Sequence, residues 1–290
     1  MAGTMGGAEI IVAVMAHNEE RRIAACLASL PLGDPHIAVH VVVNGSRDRT
    51  AEVARGFLGV RVHEYAEGGK ARSWNRFVFD TPGIAARTFV FVDGDAEVLA
   101  GSIEALAHAL DADPDANAAA GLPANGRRAQ AYRQAVIRER GLFGDLYALK
   151  GSFVARMREA GLRLPDDLVG DDGLIGALAK TDLGTEEEWR DARVIACPQA
   201  GFLCEPTRLS SPRSLANQYR RMVNYSTRHF QNRMISAIMR GPGPAALPPR
   251  LALLYPQWLS RLAPRAHPVW WWFDREALSR MARAAREGAL

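Results

Sequence analysis

"FVFVDGDAEV" (residues 89–98) places an apolar, aromatic and β-branched run directly before two aspartates that share one glycine. The run reads as a buried strand. Two carboxylates this close repel each other unless a cation sits near them. Asp93 and Asp95 therefore read as ligands of Mg²⁺ or Mn²⁺, hard ions that take one or two carboxylates together with phosphate oxygens. Gly94 between them lets a ligand approach the backbone. Taken alone, the pattern reads better as a turn capping the next helix.

Working outward, strand-like and helix-like segments alternate. Strands are expected at 9–15, 36–44, 60–65 and 87–93, with helices near 19–30, 48–58, 70–80 and 100–110. This alternation implies a mostly parallel sheet flanked by helices, an α/β fold. Ligands of such sheets lie beyond the carboxyl ends of the strands. The polar clusters "HNEE", "NGSRDR" and "DGD" all fall there. The middle is less regular: 127–146 reads as a helix, 147–156 as a strand, and 164–180 as a loop entering a helix. Helices dominate from about 210, with a start at Ser211–Pro212 and a turn region at 241–249.

The order of these clusters carries more than any one of them. "MAHNEE" (15–20), "VNGSRDRT" (43–50), "GKARSWN" (69–75), "DGD" (93–95), the stretch 149–176 ending in "GDDGLIG", and "QYRRM" (218–222) follow one another. In this order the chain resembles the inverting family 2 glycosyltransferases, which have the Rossmann-like GT-A fold and bind nucleotide sugars. The likeness covers residues 9 to about 225. It implies a GT-A catalytic domain over 1–210, with a nucleotide half (1–110) and an acceptor half (111–210), and a helical, basic, aromatic extension over 211–290. It also implies a donor that is a nucleoside-diphosphate sugar, UDP-linked by the family pattern, a hydroxyl acceptor, and Mn²⁺ or Mg²⁺.

The resemblance also implies roles. Ala16, His17 and Glu19 lie at the nucleotide end. Asn44 stands where an aspartate typically meets uracil, a departure that leaves GDP- and dTDP-sugars open. Lys70 suits the diphosphate as a flexible ammonium. Asp93 and Gly94 sit by the ribose or metal, and Asp95 on the metal itself. Gly151 and Ser152 belong to the acceptor stretch. Asp172 is the base that takes the acceptor's proton, and Asp171 orients the acceptor or caps the helix. Gln218 and Arg221, three apart on one helix face, approach diphosphate and acceptor. Met222 replaces a tryptophan, which argues against a polymer-extending role. Ser46 and Asp48 read as helix caps. A sugar-nucleotide pyrophosphorylase would show a glycine-rich basic loop after the first strand; "MAHNEE" is acidic. A non-catalytic nucleotide-sugar-binding protein would not need the 171–172 pair.

Composition bounds the rest. The 290 residues carry a net charge of +4 and only three cysteines, too few for a disulfide framework. No run of eighteen apolar residues occurs, so no spanning helix is expected. Cytoplasmic residence is the expectation, with peripheral attachment to the inner face of a membrane as its extension. Pro206 to Phe273 contains ten arginines and no acid. Nucleic acid binding would use that arm but not the ordered acids. With "LALLYPQWL" and "VWWWF" it favours an anionic membrane surface and a lipid-linked acceptor, or else packs on the catalytic domain or forms a dimer contact.

Overall fold

The first four apolar runs become β1 (Ile10–Ala16), β2 (Ile37–Asn44), β3 (Val60–Tyr65) and β4 (Thr88–Asp93). In β1, Ile11, Ala13 and Met15 enter one apolar cluster and Val12, Val14 and Ala16 another. The same alternation sends Phe89 and Phe91 one way from β4, and Val90 and Val92 the other. Both faces of β1 and β4 are covered, so they read as unbroken apolar runs, whereas β3 at the sheet edge has no buried residue.

The computed structural model describes residues 8–126, 128–204 and 212–287. The 210/211 boundary and Ser211 lie outside the described residues. Helices α1 (Ile23–Ala28), α2 (Thr50–Arg55), α3 (Lys70–Asn75, continuing as a π-turn over Arg76–Asp80) and α4 (Ser102–Ala112) connect the early strands. Then come β5 (Ala96–Val98), β6 (Ala118–Pro123), α5 (Ala129–Glu139), β7 (Leu146–Lys150), α6 (Gly151–Glu159), α7 (Asp171–Thr181) and β8 (Val194–Cys204). The chain ends with α8 (Pro212–Arg240), α9 (Tyr255–Trp258) and α10 (Pro268–Glu287). The sheet order is β3-β2-β1-β4-β7-β6-β8-β5. β3, β2, β1 and β4 run parallel, while β7 pairs antiparallel with β4. That reversal brings the start of β7 to the carboxyl end of β4, with Val92 opposite Leu146.

Three strands and one boundary depart from the sequence reading. β6 is alanine-rich, with low strand propensity. β8 contains Pro198 and Gly201, and its register with β6 shifts between Ala120 and Leu122. β5 is three residues long. The strand expected over 147–156 stops at Lys150, because a Cβ at Gly151 would lie 2.0 Å from the Ala86 carbonyl oxygen. No side chain fits there, and the chain turns into α6.

The C-terminal helices share the core. Val223, Phe230 and Met234 of α8 and Ala277 and Met281 of α10 join the cluster that holds Trp74, Phe91 and Leu174. Asp274, fully buried in α10, accepts from the Arg265 backbone at 2.8 Å and from its guanidinium at 2.9 and 2.6 Å. Burial alone would raise this carboxyl; the bonds from Arg265 and Ser226 outweigh it and hold it at about 2. One face of the tail is therefore built into the fold.

On the opposite flank, His40 of β2 and His63 of β3 share a hydrogen bond of 2.8 Å and pack edge-on against Phe77. Burial, then His63 and Arg61, lowers His40 from 6.5 to about 4. The unfolded chain therefore takes up this proton first as pH falls. Stability from the neutral pair is complete above pH 6.5 and declines toward pH 4, by up to about 3 kcal/mol. Urea unfolding should show lower stability at pH 5 than at pH 7.5, with the difference reduced in His40→Gln. Identical pH slopes in the two proteins would refute the assignment.

Candidate active site

The loops after β1 and β2 are locked together before any ligand arrives. Asn18, at a left-handed φ of 56°, accepts from the Arg47 N–H at 2.9 Å through its side-chain oxygen. Its own N–H donates to Ser46 Oγ at 2.9 Å. His17 Nε2 accepts from the Asn18 amide at 2.9 Å, so Nδ1 carries the proton and donates to the Asn44 carbonyl at 2.5 Å. Both ring nitrogens are thus engaged within the scaffold. Asn44, which is buried, accepts from the Gly69 N–H at 2.7 Å and the Ser73 hydroxyl at 3.1 Å. It anchors the start of α3, whose first residue is Lys70. Asp48 receives the Thr50 and Glu20 N–H groups, each at 3.1 Å, as a cap does.

Lys70 reaches across to Asp93 at 2.6 Å and Asp171 at 3.7 Å. Burial would lower this lysine, but Asp171 and Asp93 outweigh it and hold it well above the usual range. It stays an ammonium. Ala16 and Gly94 make the close contact between strand ends: a Cβ at Gly94 would be 2.9 Å from the Ala16 Cβ. The space beside Gly94 is filled by protein, which corrects the reading of that glycine as a ligand approach.

Asp93, Asp95 and Asp145 bring one carboxylate oxygen each within 4.8 Å of one another. Asp145 lies just before β7, and its carbonyl accepts the Asp93 N–H at 3.2 Å. Sequence reading passed over it, because the segment looked like the end of a helix. The signal was there: an acid abutting the apolar run "LYAL" repeats the arrangement of Asp93 after "FVFV". Burial pushes Asp93 up well beyond the carboxylate range, and Asp145 and Asp95 add to this against Lys70. Asp145 is raised by burial and by Asp95.

Arg22 was also missed. It spans Glu19 at 2.6 Å and Asp95 at 3.2 Å. Burial and the nearness of Asp95 lift Glu19 to about 7, against Arg22. Arg221 of α8 comes within 3.9 Å of Asp95, and Gln218, one turn earlier, is half-buried on the same helix.

Asp172 opens α7 on the other side of Gly144. A Cβ built at Gly144 would be 3.3 Å from Lys70 Nζ and 3.9 Å from both Asp172 Cγ and an Asp93 oxygen. Arg228 of α8 holds Asp172 at 3.1 Å. Its side chain passes against Gly170 and Gly173, where Cβ atoms would lie 2.6 and 3.0 Å from it. Gly170 also has φ of 83°. The glycines around "GDDG" therefore make room for this arginine. Asp171 points inward, 3% exposed, with Oδ1 3.7 Å from Lys70 Nζ and Oδ2 unpartnered, and its charge helps raise the buried Tyr147 hydroxyl. It steers Lys70, which corrects its reading as an acceptor-orienting group.

Gly151 and Ser152 do not reach this site. The Gly151 N–H donates to the Arg87 carbonyl at 2.7 Å, at the amino end of β4, the edge of the sheet opposite Asp93. The antiparallel turn of β7 carries them away.

Glu19, Asp93, Asp95, Asp145, Asp171 and Asp172 face Lys70, Arg22, Arg221 and Arg228. Fully ionised, the group has an excess of two negative charges, which one divalent cation neutralises. Clustered carboxylate oxygens suit Mg²⁺ or Mn²⁺, so the residues present fit such an ion.

Comparison with solved structures agrees with this architecture. A mannosyltransferase from Pyrobaculum calidifontis, solved with GDP-Man and Mn²⁺, superposes with a TM-score of 0.59 at 21% identity, over 98% of this chain and 79% of that one. Glucosyl-3-phosphoglycerate synthase from Mycobacterium tuberculosis, solved with Mn²⁺, UDP and glucosyl-3-phosphoglycerate, gives 0.51 at 21% identity, over 77% of this chain and 80% of that one. The fold is GT-A. A search of the curated proteins found no match. The model of "Glycosyl transferase family 2" matches residues 11–166, more than half of the sequence, and the chain belongs to that family.

Proposed function

We propose that this glycosyltransferase moves a sugar from a nucleoside-diphosphate donor to an acceptor hydroxyl by single displacement, with inversion at the anomeric carbon. The observation that carries the reading is the Asp93–Asp95–Asp145 cluster, with Asp172 Cγ and an Asp93 oxygen each 3.9 Å from a Cβ built at Gly144. The three aspartates would hold a divalent cation, which supplies Lewis-acid stabilisation to the departing diphosphate. Lys70 and Arg221 add positive charge on the same side. Asp172, its carboxylate fixed by Arg228, takes the proton of the attacking hydroxyl.

A covalent intermediate finds no support at the site. Cys26 and Cys204 border it, with Cys204 Sγ 3.3 Å from Asp145, and burial together with the nearby acids pushes both thiols far up. They stay protonated and weakly nucleophilic. The donor base is proposed as uridine on the family likeness alone, since the Asn44 oxygen is occupied by Gly69 and Ser73. The acceptor is proposed to be lipid-linked, on the strength of the basic, aromatic tail. The division into a GT-A part over 1–210 and an extension over 211–290 is part of the same proposal, with Arg221 and Arg228 of the extension completing the site.

Asp172→Asn should lose transfer by about 10²–10⁴-fold while binding nucleotide as tightly as the parent; full-rate transfer would remove the base assignment. Asp145→Asn should weaken Mn²⁺ binding about tenfold or more, read by calorimetry without donor. Unchanged Mn²⁺ affinity would take Asp145 out of the cation site. A thermal-shift panel of UDP, GDP and dTDP with Mn²⁺ should show the largest rise for UDP; a larger rise for GDP would reassign the donor.

A further inference from the structure

Twelve large apolar side chains stand exposed among the described residues, and six of them lie on two helices. Leu215, Tyr219 and Tyr225 belong to the first half of α8; Val269, Trp271 and Trp272 belong to the first two turns of α10. The Tyr219 ring lies 5.7 Å from that of Phe273, which places Tyr219 and the start of α10 on one surface. Leu215 precedes Tyr219 by one helical turn.

This surface is held rigidly. Asp274, Ala277 and Met281 fix the inner face of α10 in the core. Arg265, bonded to Asp274, lies under the Trp270 ring at 4.2 Å. Trp272 consequently stands outward at 61% exposure and Trp271 at 43%. The Arg275 guanidinium sits 4.7 Å from the Trp271 ring.

The charge around the rings is mostly positive: Glu276, one turn after Trp272 on α10, is paired with Arg280 at 3.0 Å. No acid occurs from Pro206 to Phe273, and the segment carries ten arginines. Arg220, Arg261 and Arg275 are exposed. Tryptophan with arginine suits the boundary where apolar chains meet anionic headgroups. No helix of the described residues is long and apolar enough to cross a membrane, so any such contact is made from one side.

We propose that the face built by Val269, Trp271 and Trp272 of α10 with Tyr219 and Leu215 of α8 docks on an anionic lipid bilayer. The rings enter the headgroup boundary and the arginines pair with lipid phosphates. This deepens the lipid-linked acceptor proposed above and rests on it for its purpose. On α8 the same helix that carries Tyr219 carries Arg221, 3.9 Å from Asp95. A docked face would thus set the catalytic cleft at a fixed orientation to the bilayer.

The test is co-sedimentation of the full chain, without donor, with vesicles of phosphatidylcholine alone or mixed with phosphatidylglycerol. Binding should require phosphatidylglycerol and weaken between 0.1 and 0.5 M salt. Trp271→Ser/Trp272→Ser should bind at least tenfold more weakly, and Arg275→Glu severalfold more weakly. Leu58→Ser, which alters an exposed leucine on another part of the surface, should bind as the parent does. Absence of vesicle binding, equal binding to pure phosphatidylcholine, or a tryptophan variant that binds fully would overturn the proposal. A concentration-dependent dimer lost in the tryptophan variant would assign the face to a second copy and overturn it too. Because binding is read without transfer, an enzyme that docks yet glycosylates only soluble acceptors would refute the lipid-linked acceptor and leave the docking face standing.

Discussion

Mutual repulsion among carboxylates at one edge of the sheet is the constraint around which the structure is arranged. Asp93, Asp95 and Asp145 are brought together by the antiparallel entry of β7 beside β4. Neutral side chains there would pack at lower electrostatic cost. The fold instead surrounds the acids with Lys70, Arg22 and Arg221, and gives Lys70 a second carboxylate, Asp171, that holds it in place. Unpaired buried charge is expensive, so such a cluster persists when a cation completes it.

The surrounding loops are built to keep that arrangement still. His17, Asn18, Ser46 and Asn44 hydrogen-bond to one another or to neighbouring backbone, so the ends of β1 and β2 and the start of α3 move as one piece. Several residues assigned to ligand by likeness turn out to have these scaffold partners. Preorganisation of this sort lets the charged groups act on developing charge without reorganising.

The edge strand β3 was legible as a short β-branched alternation, and strands β1, β2 and β4 because they are largely buried and so are written as apolar runs. Asp93 and Asp95 were legible for the same reason, as acids breaking such a run. Residues whose roles come from pairings distant in sequence were not. Asp145 depends on β7 meeting β4, 52 positions away between Asp93 and Asp145. Arg228 depends on α8 crossing the start of α7. Gly151 and Ser152 were misplaced because the direction of β7 cannot be read from its composition. β6, made largely of alanine, announced no strand at all.

Arg228 threads past two positions that lack side chains to grip the acid opposite the cation cluster. Helix α8 is thereby tied to the site. A shortened chain ending before this helix would keep the nucleotide loops yet leave Asp172 without its clamp and Phe91's cluster open to water. One helix thus serves two surfaces, carrying Arg221 and Arg228 to the acids and Tyr219 to the outside.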